Sequence, residues 1–169
     1  MTATAIVWVS EGTWAACVDA ARAWIPDEAR VVLLHVTNDE AADVAHGAFL
    51  GLLGRGRPAR DDPGSHLKAL SAAAATELLD VAADRLGRPA TRLHRHGRVE
   101  HQVVQAAVGA DLLICARDGY RDRLGPHSLA PTTRFIVDHA LCPVLLVWPE
   151  PAPGADTLPP PPGAHPPRP

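Results

Sequence analysis

ADLLICARDGYRDRLGPHSLAPTTRFIVDHALCPVLLVW, residues 110–148, decides how the chain is read. ADLLICA, residues 110–116, is a continuous apolar run of strand length, and the polar, glycine-marked loop Arg117–Ala130 follows it. Pro131 then opens a helix, because a first helical position has no use for the amide that proline lacks. Phe135, Ile136 and Ala140 recur at helical spacing before a second apolar run, CPVLLVW, residues 142–148. Two apolar strands joined by a helix predict a right-handed parallel crossover in a sheet covered on both faces. Ligands of such sheets sit beyond the carboxyl ends of the strands, which makes the loop after Ala116 the place to expect a site.

Upstream the same alternation repeats. TAIVWVS, residues 4–10, reads as a first strand, and the turn SEGT, Ser10–Thr13, leads into a helix with Trp14, Cys17, Val18, Ala21 and Trp24 or Ile25 facing inward. Pro26 and Asp27 close that helix. RVVLLHVT, residues 30–37, is a second strand without polar alternation, as burial on both faces requires. Residues 38–65 read as an irregular insertion: a helical first half interrupted by Gly47, then a loop rich in glycine, proline and charge whose Arg55, Arg57 and Arg60 read as a solvated basic stretch or, alternatively, fold over a bound anion. A helix resumes at His66 and runs to Leu86 with Leu67, Leu70, Ala74, Leu78 and Val81 on one face, closed by Gly87 and Pro89. Residues 91–96 form a third strand and residues 99–108 a third helix. Five strands alternating with four helices predict an α/β, doubly wound parallel sheet with helices on both faces, the chain being far too short for an eight-fold barrel.

The 169 residues suit one domain, residues 1–149, followed by a proline-rich disordered tail, residues 150–169, in which nearly half the positions are proline. A composition 47% hydrophobic and 21% charged, with a net charge of −3, gives no global reason to bind nucleic acid or an anionic membrane. The apolar run of residues 5–9 is too short for a signal core or a membrane span, so a cytoplasmic location is expected. Cys17, Cys115 and Cys142 are odd in number, far apart and set among apolar residues, which predicts core thiols rather than disulfides or a zinc cluster.

SEGT at residues 10–13, LLHV at residues 33–36, GRVEHQVVQAAVGADLLICARDG at residues 97–119 and DHALCPVLLVWP at residues 138–149 together resemble the universal stress protein (UspA-like) family. The resemblance covers nearly all of residues 4–149. It implies the strand order 3-2-1-4-5, homodimerisation through the last strand, Pro143 to Trp148, and a stress-response binding role, often with ATP or another nucleotide at the switch point.

Carried over residue by residue, the resemblance implies a degraded ATP motif. The adenine-side positions fall on Ser10, beside Glu11 and Gly12, and on Val36. Serine is neutral where nucleotide-binding members carry an aspartate. The phosphate-loop glycines fall on Ala116, Gly119 and Ala130, and the hydroxyl residue on Pro131, with one extra residue in the loop. Glycines let backbone amides approach phosphate, and a helix N-terminus supplies free ones. Pro131 offers neither amide nor hydroxyl. Arg117, Asp118, Ser128, Thr132, Thr133 and Arg134, with Arg121 and Arg123 nearby, still surround the helix start and suit a small anionic ligand. The expected role is regulatory or binding, without turnover, without a metal and without ATP held in the usual way. A nucleotide-binding protein with weak ATPase activity is the alternative. His94, His96 and His101 lie close in sequence, but no cysteine joins them and arginines surround them, so they read as polarity at a sheet edge.

Overall fold

The computed structural model describes residues 2–49 and 62–159. Apolar runs form β1 (Thr4–Trp8), β2 (Arg30–Thr37), β4 (Leu112–Ala116) and β5 (Val144–Val147), and the polar stretch TRLHRH forms β3 (Thr91–His96). All four pairings are parallel and the order is β3-β2-β1-β4-β5, as the resemblance implies. The register sets Val7 beside Leu33 on one side and Ile114 on the other. The chain therefore reverses its winding between β1 and β4, and the crevice at their carboxyl ends is the switch point.

Helices α1 (Trp14–Trp24), α2 (Glu40–Ala48), α3 (Pro63–Leu86), α4 (Val99–Ala106) and α5 (Pro131–His139) connect the strands. Successive strand residues point to opposite faces, and in β1, β2 and β4 both faces are buried, which is why these three strands show no polar alternation; the edge strands β3 and β5 are half-buried at most. Val7, Val9, Leu33 and Ile114 pack with Cys17, Val18 and Ala21 of α1 and with Leu79, Ala82 and Leu86 of α3. Ile6, Trp8, Leu34, Leu113 and Cys115 pack on the other face with Val103 of α4 and Ile136 of α5. No helix among the described residues is long and apolar enough to cross a membrane.

Of the two alternatives at the end of α1, Ile25 is the buried one and Trp24 is 75% exposed. The readings of α2 and α3 need correction. Most of the face expected on α3 is out of phase: Leu67, Leu70, Ala74 and Val81 are exposed and Leu78 is half-buried against the core, whereas Ala75, Leu79, Ala82 and Leu86 are buried. Alanines alternate with leucines along the buried side, so leucine spacing alone does not mark it. The helix also begins at Pro63, three residues before the expected start, and α2 runs through Gly47, giving five α-helices among the described residues where four were expected. Residues 50–61, with Arg55, Arg57 and Arg60, lie outside the described residues.

Asp62 explains the early start of α3. Its carboxylate accepts the Gly64 and Ser65 amides at 3.0 and 3.3 Å, the Ser65 hydroxyl at 2.7 Å and His46 Nδ1 at 2.7 Å, with Pro63 at the first helical position. Led by the Ser65 hydroxyl, with His46 and the Gly64 amide adding to it, these donors hold the Asp62 carboxyl down at about 2. The contribution is present above the unfolded carboxyl value of about 3.9 and is lost as pH falls toward 2. An Asp62→Asn variant should take up at most about one proton fewer on unfolding between about pH 4 and 2, read as a shallower fall in urea midpoint over that range.

The beginning of the expected disordered tail is also structured. Residues 150–158 lie across the loop after β4: Arg121 pairs with Glu150 at 2.8 Å, and the Leu124 amide donates to Thr157 Oγ1 at 3.0 Å. Thr157 Oγ1 in turn donates to the Gly154 carbonyl at 2.7 Å within a short 3₁₀ turn, Ala155–Thr157. Polar side chains hold this segment without large apolar groups, which is why composition alone missed it. Residues 160–169 lie outside the described residues.

Candidate functional site

The loop between β4 and α5 closes on itself. The Gly119 amide donates to the Ser128 carbonyl at 3.0 Å and the Tyr120 amide to the His127 carbonyl at 2.8 Å, with a 3₁₀ turn at Pro126–Ser128 between the returning strands of chain. Only glycine fits at 119: a Cβ there would stand 2.8 Å from the Ser128 carbonyl carbon and closer still to the His127 carbonyl oxygen. Ser128 is buried; its hydroxyl donates to the Gly125 carbonyl at 2.7 Å and accepts from Arg117 Nη1. The Arg117 guanidinium also lies 5.0 Å from the centroid of the Trp148 ring, a cation–π distance. Arg134 donates to the Pro126 carbonyl. Arg121 pairs with Glu150, and exposed Arg123 lies 3.6 Å from Asp122. The four arginines expected around an anion therefore each face a partner supplied by the chain itself.

The N-terminus of α5 is filled in the same way. Asp118 Oδ1 accepts the Ala130 amide at 2.9 Å, and Asp118 Oδ2 accepts the Thr133 hydroxyl at 2.7 Å. Thr133 is fully buried and Thr132 half-buried. A helix N-terminus favours negative charge through its free amides and its dipole, and here an aspartate twelve residues before Ala130 supplies it.

Asp118, Gly119, Ala130 and Arg134 line one groove of about 990 Å³ between this loop and the outer face of α5. Tyr120, His127, Phe135 and His139 share it and were missed from the sequence; the spacing of Phe135 and His139, four apart on one helix, was the available signal. Their rings stack at 4.0 Å, 13° from parallel. The adenine-side candidates lie elsewhere. The Ser10 carbonyl accepts the Thr13 and Trp14 amides at 3.2 and 2.9 Å and so starts α1. Glu11 lines a separate small pocket with Glu77 and Leu78 of α3, Gly12 is exposed, and Val36 and Ala116 are buried in the sheet.

The histidines separate. His94 and His96 share a face of β3, their rings 4.3 Å apart, whereas His101 stacks on Phe135 at 5.5 Å on the other side of the sheet. His35 takes its place beside His94 at 5.8 Å and donates Nδ1–H to the Val9 carbonyl at 2.8 Å. Thr37 Oγ1 pairs with His94 Nε2, and His96 Nδ1 donates to Asp39 at 3.0 Å. Among the described residues no group of His, Cys, Asp or Glu is arranged to hold a metal ion. Burial, with His96 and His35 close by, pushes the His94 imidazole below its ordinary value, against the pull of Asp39. A depressed histidine takes up its proton more readily unfolded, so it costs stability as pH falls below about 6.5. A His94→Gln variant should show a flatter dependence of urea midpoint on pH just below 6.5 than the native chain does.

Cys17 and Cys115 are fully buried, and burial pushes both thiols up to about 12. They are packing residues, without thiolate character at neutral pH.

No protein-family model matches the sequence and no curated protein is similar to it. Solved structures are similar in fold. The hypothetical protein MJ0577 superposes with a TM-score of 0.64 at 18% identity, over 88% of this chain and 96% of that one. The universal stress protein UspA from Lactobacillus plantarum gives 0.55 at 21% identity, over 86% and 97%. A universal stress protein in complex with cAMP gives 0.55 at 16% identity, over 88% and 98%. With the all-parallel order β3-β2-β1-β4-β5, this chain has the α/β fold of the universal stress proteins.

Proposed function

We propose that the chain is a cytoplasmic regulatory or binding protein of the universal stress protein kind, one that does not turn over a substrate and does not hold ATP in the usual way. The observation that carries this reading is Asp118, whose carboxylate sits on the Ala130 amide and the Thr133 hydroxyl at the start of α5. An entering phosphate would have to displace a negative charge already bonded there, and Pro131 offers it no amide. Homodimerisation through β5 belongs to the same reading: β5 is an edge strand, and Val144, Leu145, Leu146 and Val147 are all half-buried in the single chain.

A nucleotide-binding reading, with weak ATPase activity at most, is favoured by the structural neighbour described in complex with cAMP. A thermal-shift series with ATP, ADP, AMP and cAMP, paired with mass spectrometry of nucleotide released on denaturation, separates the two. Absence of any concentration-dependent shift supports the first reading, and a shift that grows with nucleotide concentration overturns it.

A further inference from the structure

Helix α3 uses only one side to hold the rest of the protein. Ala75, Leu79, Ala82 and Leu86 are buried, which turns the other apolar repeat of the same helix, Leu67, Leu70, Ala74, Leu78 and Val81, largely to solvent. Leu70 is 68% exposed, Val81 46% and Leu67 42%, and only Leu78 packs partly against the core. Residues three and four apart are neighbours on a helix surface, so these five side chains make one continuous stripe, about 21 Å long at 1.5 Å per residue. Single exposed leucines are ordinary, but a contiguous apolar stripe marks a contact surface. Along its C-terminal half, Ala74, Leu78 and Val81 line a groove of about 330 Å³ together with Glu77 and with Glu11 from the turn before α1.

The charge left beside the stripe has one sign. Lys68 pairs with Asp43 at 2.7 Å and Arg85 with Asp19 at 2.6 Å, so the lysine and the arginine of α3 each have an acidic partner from another part of the chain. Glu11, Glu77 and Asp84 have no hydrogen bond or ion pair among the described residues. Glu77 lies four residues before Val81 and Asp84 three residues after it, so both flank the stripe. A second copy of this face would bring the same three carboxylates against these, and like charge would oppose it. A helix with apolar residues at the same spacing and lysines or arginines beside them complements both features at once.

We propose that this outer face of α3 is a docking surface for a basic amphipathic helix of a partner protein, whose apolar side covers Leu67, Leu70, Ala74 and Val81 and whose cations pair with Glu11, Glu77 and Asp84. The surface is separate from the groove beside α5, because α3 and α5 pack on opposite faces of the sheet.

The test titrates the full chain with a labelled amphipathic leucine–lysine peptide, LKKLLKLLKKLLKL, and with its glutamate counterpart, LEELLELLEELLEL, as the charge control. Saturable binding of the lysine peptide alone is expected, with slowed amide exchange at Glu11 and along residues 67–84. Leu70→Gln and Glu77→Lys, both at exposed positions outside the core, should each weaken binding about tenfold. Asp138→Lys makes the same change of net charge as Glu77→Lys but on α5, and should alter binding by less than about twofold. Absence of binding, equal binding of the glutamate peptide, equal losses in Glu77→Lys and Asp138→Lys, or protection mapped elsewhere would each overturn the proposal. So would a native chain whose association in sedimentation, without peptide, is abolished by Leu70→Gln, because the occupant would then be a second copy.

Discussion

Replacing Gly119 with alanine should destabilise the protein by about 1–3 kcal/mol, the usual cost of forcing a methyl group into a space already filled. The added Cβ would press on the His127 carbonyl oxygen and stand 2.8 Å from the Ser128 carbonyl carbon, and both are backbone atoms that cannot swing aside. Relief requires the two arms of the loop to part, which breaks the Gly119–Ser128 and Tyr120–His127 hydrogen bonds. Buried Ser128 would move with them, and with it the Arg117 contact. Calorimetry should record a fall in Tm of roughly 2–4 °C for each kcal/mol lost in a chain of this size. Gly12→Ala makes the contrast: nothing lies near its Cβ, and only its positive φ of 76° opposes the change. An equal loss at both positions would show that the close approach at Gly119 is not what matters.

Asp118→Ala should cost about 2–4 kcal/mol, from the lost hydrogen bond to the Ala130 amide, about 1 kcal/mol, and from the Thr133 hydroxyl left buried without its acceptor, about 1–3 kcal/mol. Asp118→Asn keeps an acceptor for only one of the two donors and should recover only part of that loss. The pair also reports on ligand chemistry. With the carboxylate gone, the start of α5 regains its preference for an external anion, so phosphate or ATP should raise the Tm of Asp118→Ala more than that of the native chain. If neither variant differs from native in urea midpoint, the cap described for α5 does not contribute to stability.

β2 was legible because burial on both faces leaves nothing else for residues such as Val31, Leu33 and Leu34 to be; β3, a polar edge strand without buried residues, also falls where expected, at residues 91–96. The buried side of α3 was not, because Ala75 and Ala82 look like propensity fillers rather than buried residues. At the candidate site the sequence located the loop but not its internal bonding. Asp118 and Thr133 are fifteen residues apart, and no local spacing rule connects them. Gly119 stood out as a phosphate-loop glycine, whereas its visible task is to let one stretch of backbone lie on another. His35 was absorbed into a strand and so was absent from the histidine grouping, while His101 was joined to it by sequence proximity alone.

The central position of β1 bears on how the chain is made. On one side β1 pairs with β2, Thr4 standing 26 residues before Arg30; on the other it pairs with β4, where the Thr4 amide meets Asp111, 107 residues away. During synthesis β1, β2 and β3 are complete before β4 leaves the ribosome, and until then the β1 edge has its hydrogen-bonding groups unpaired. A nascent chain stalled between β3 and β4 therefore offers a bare, apolar strand edge, and that interval is when the protein most needs a chaperone.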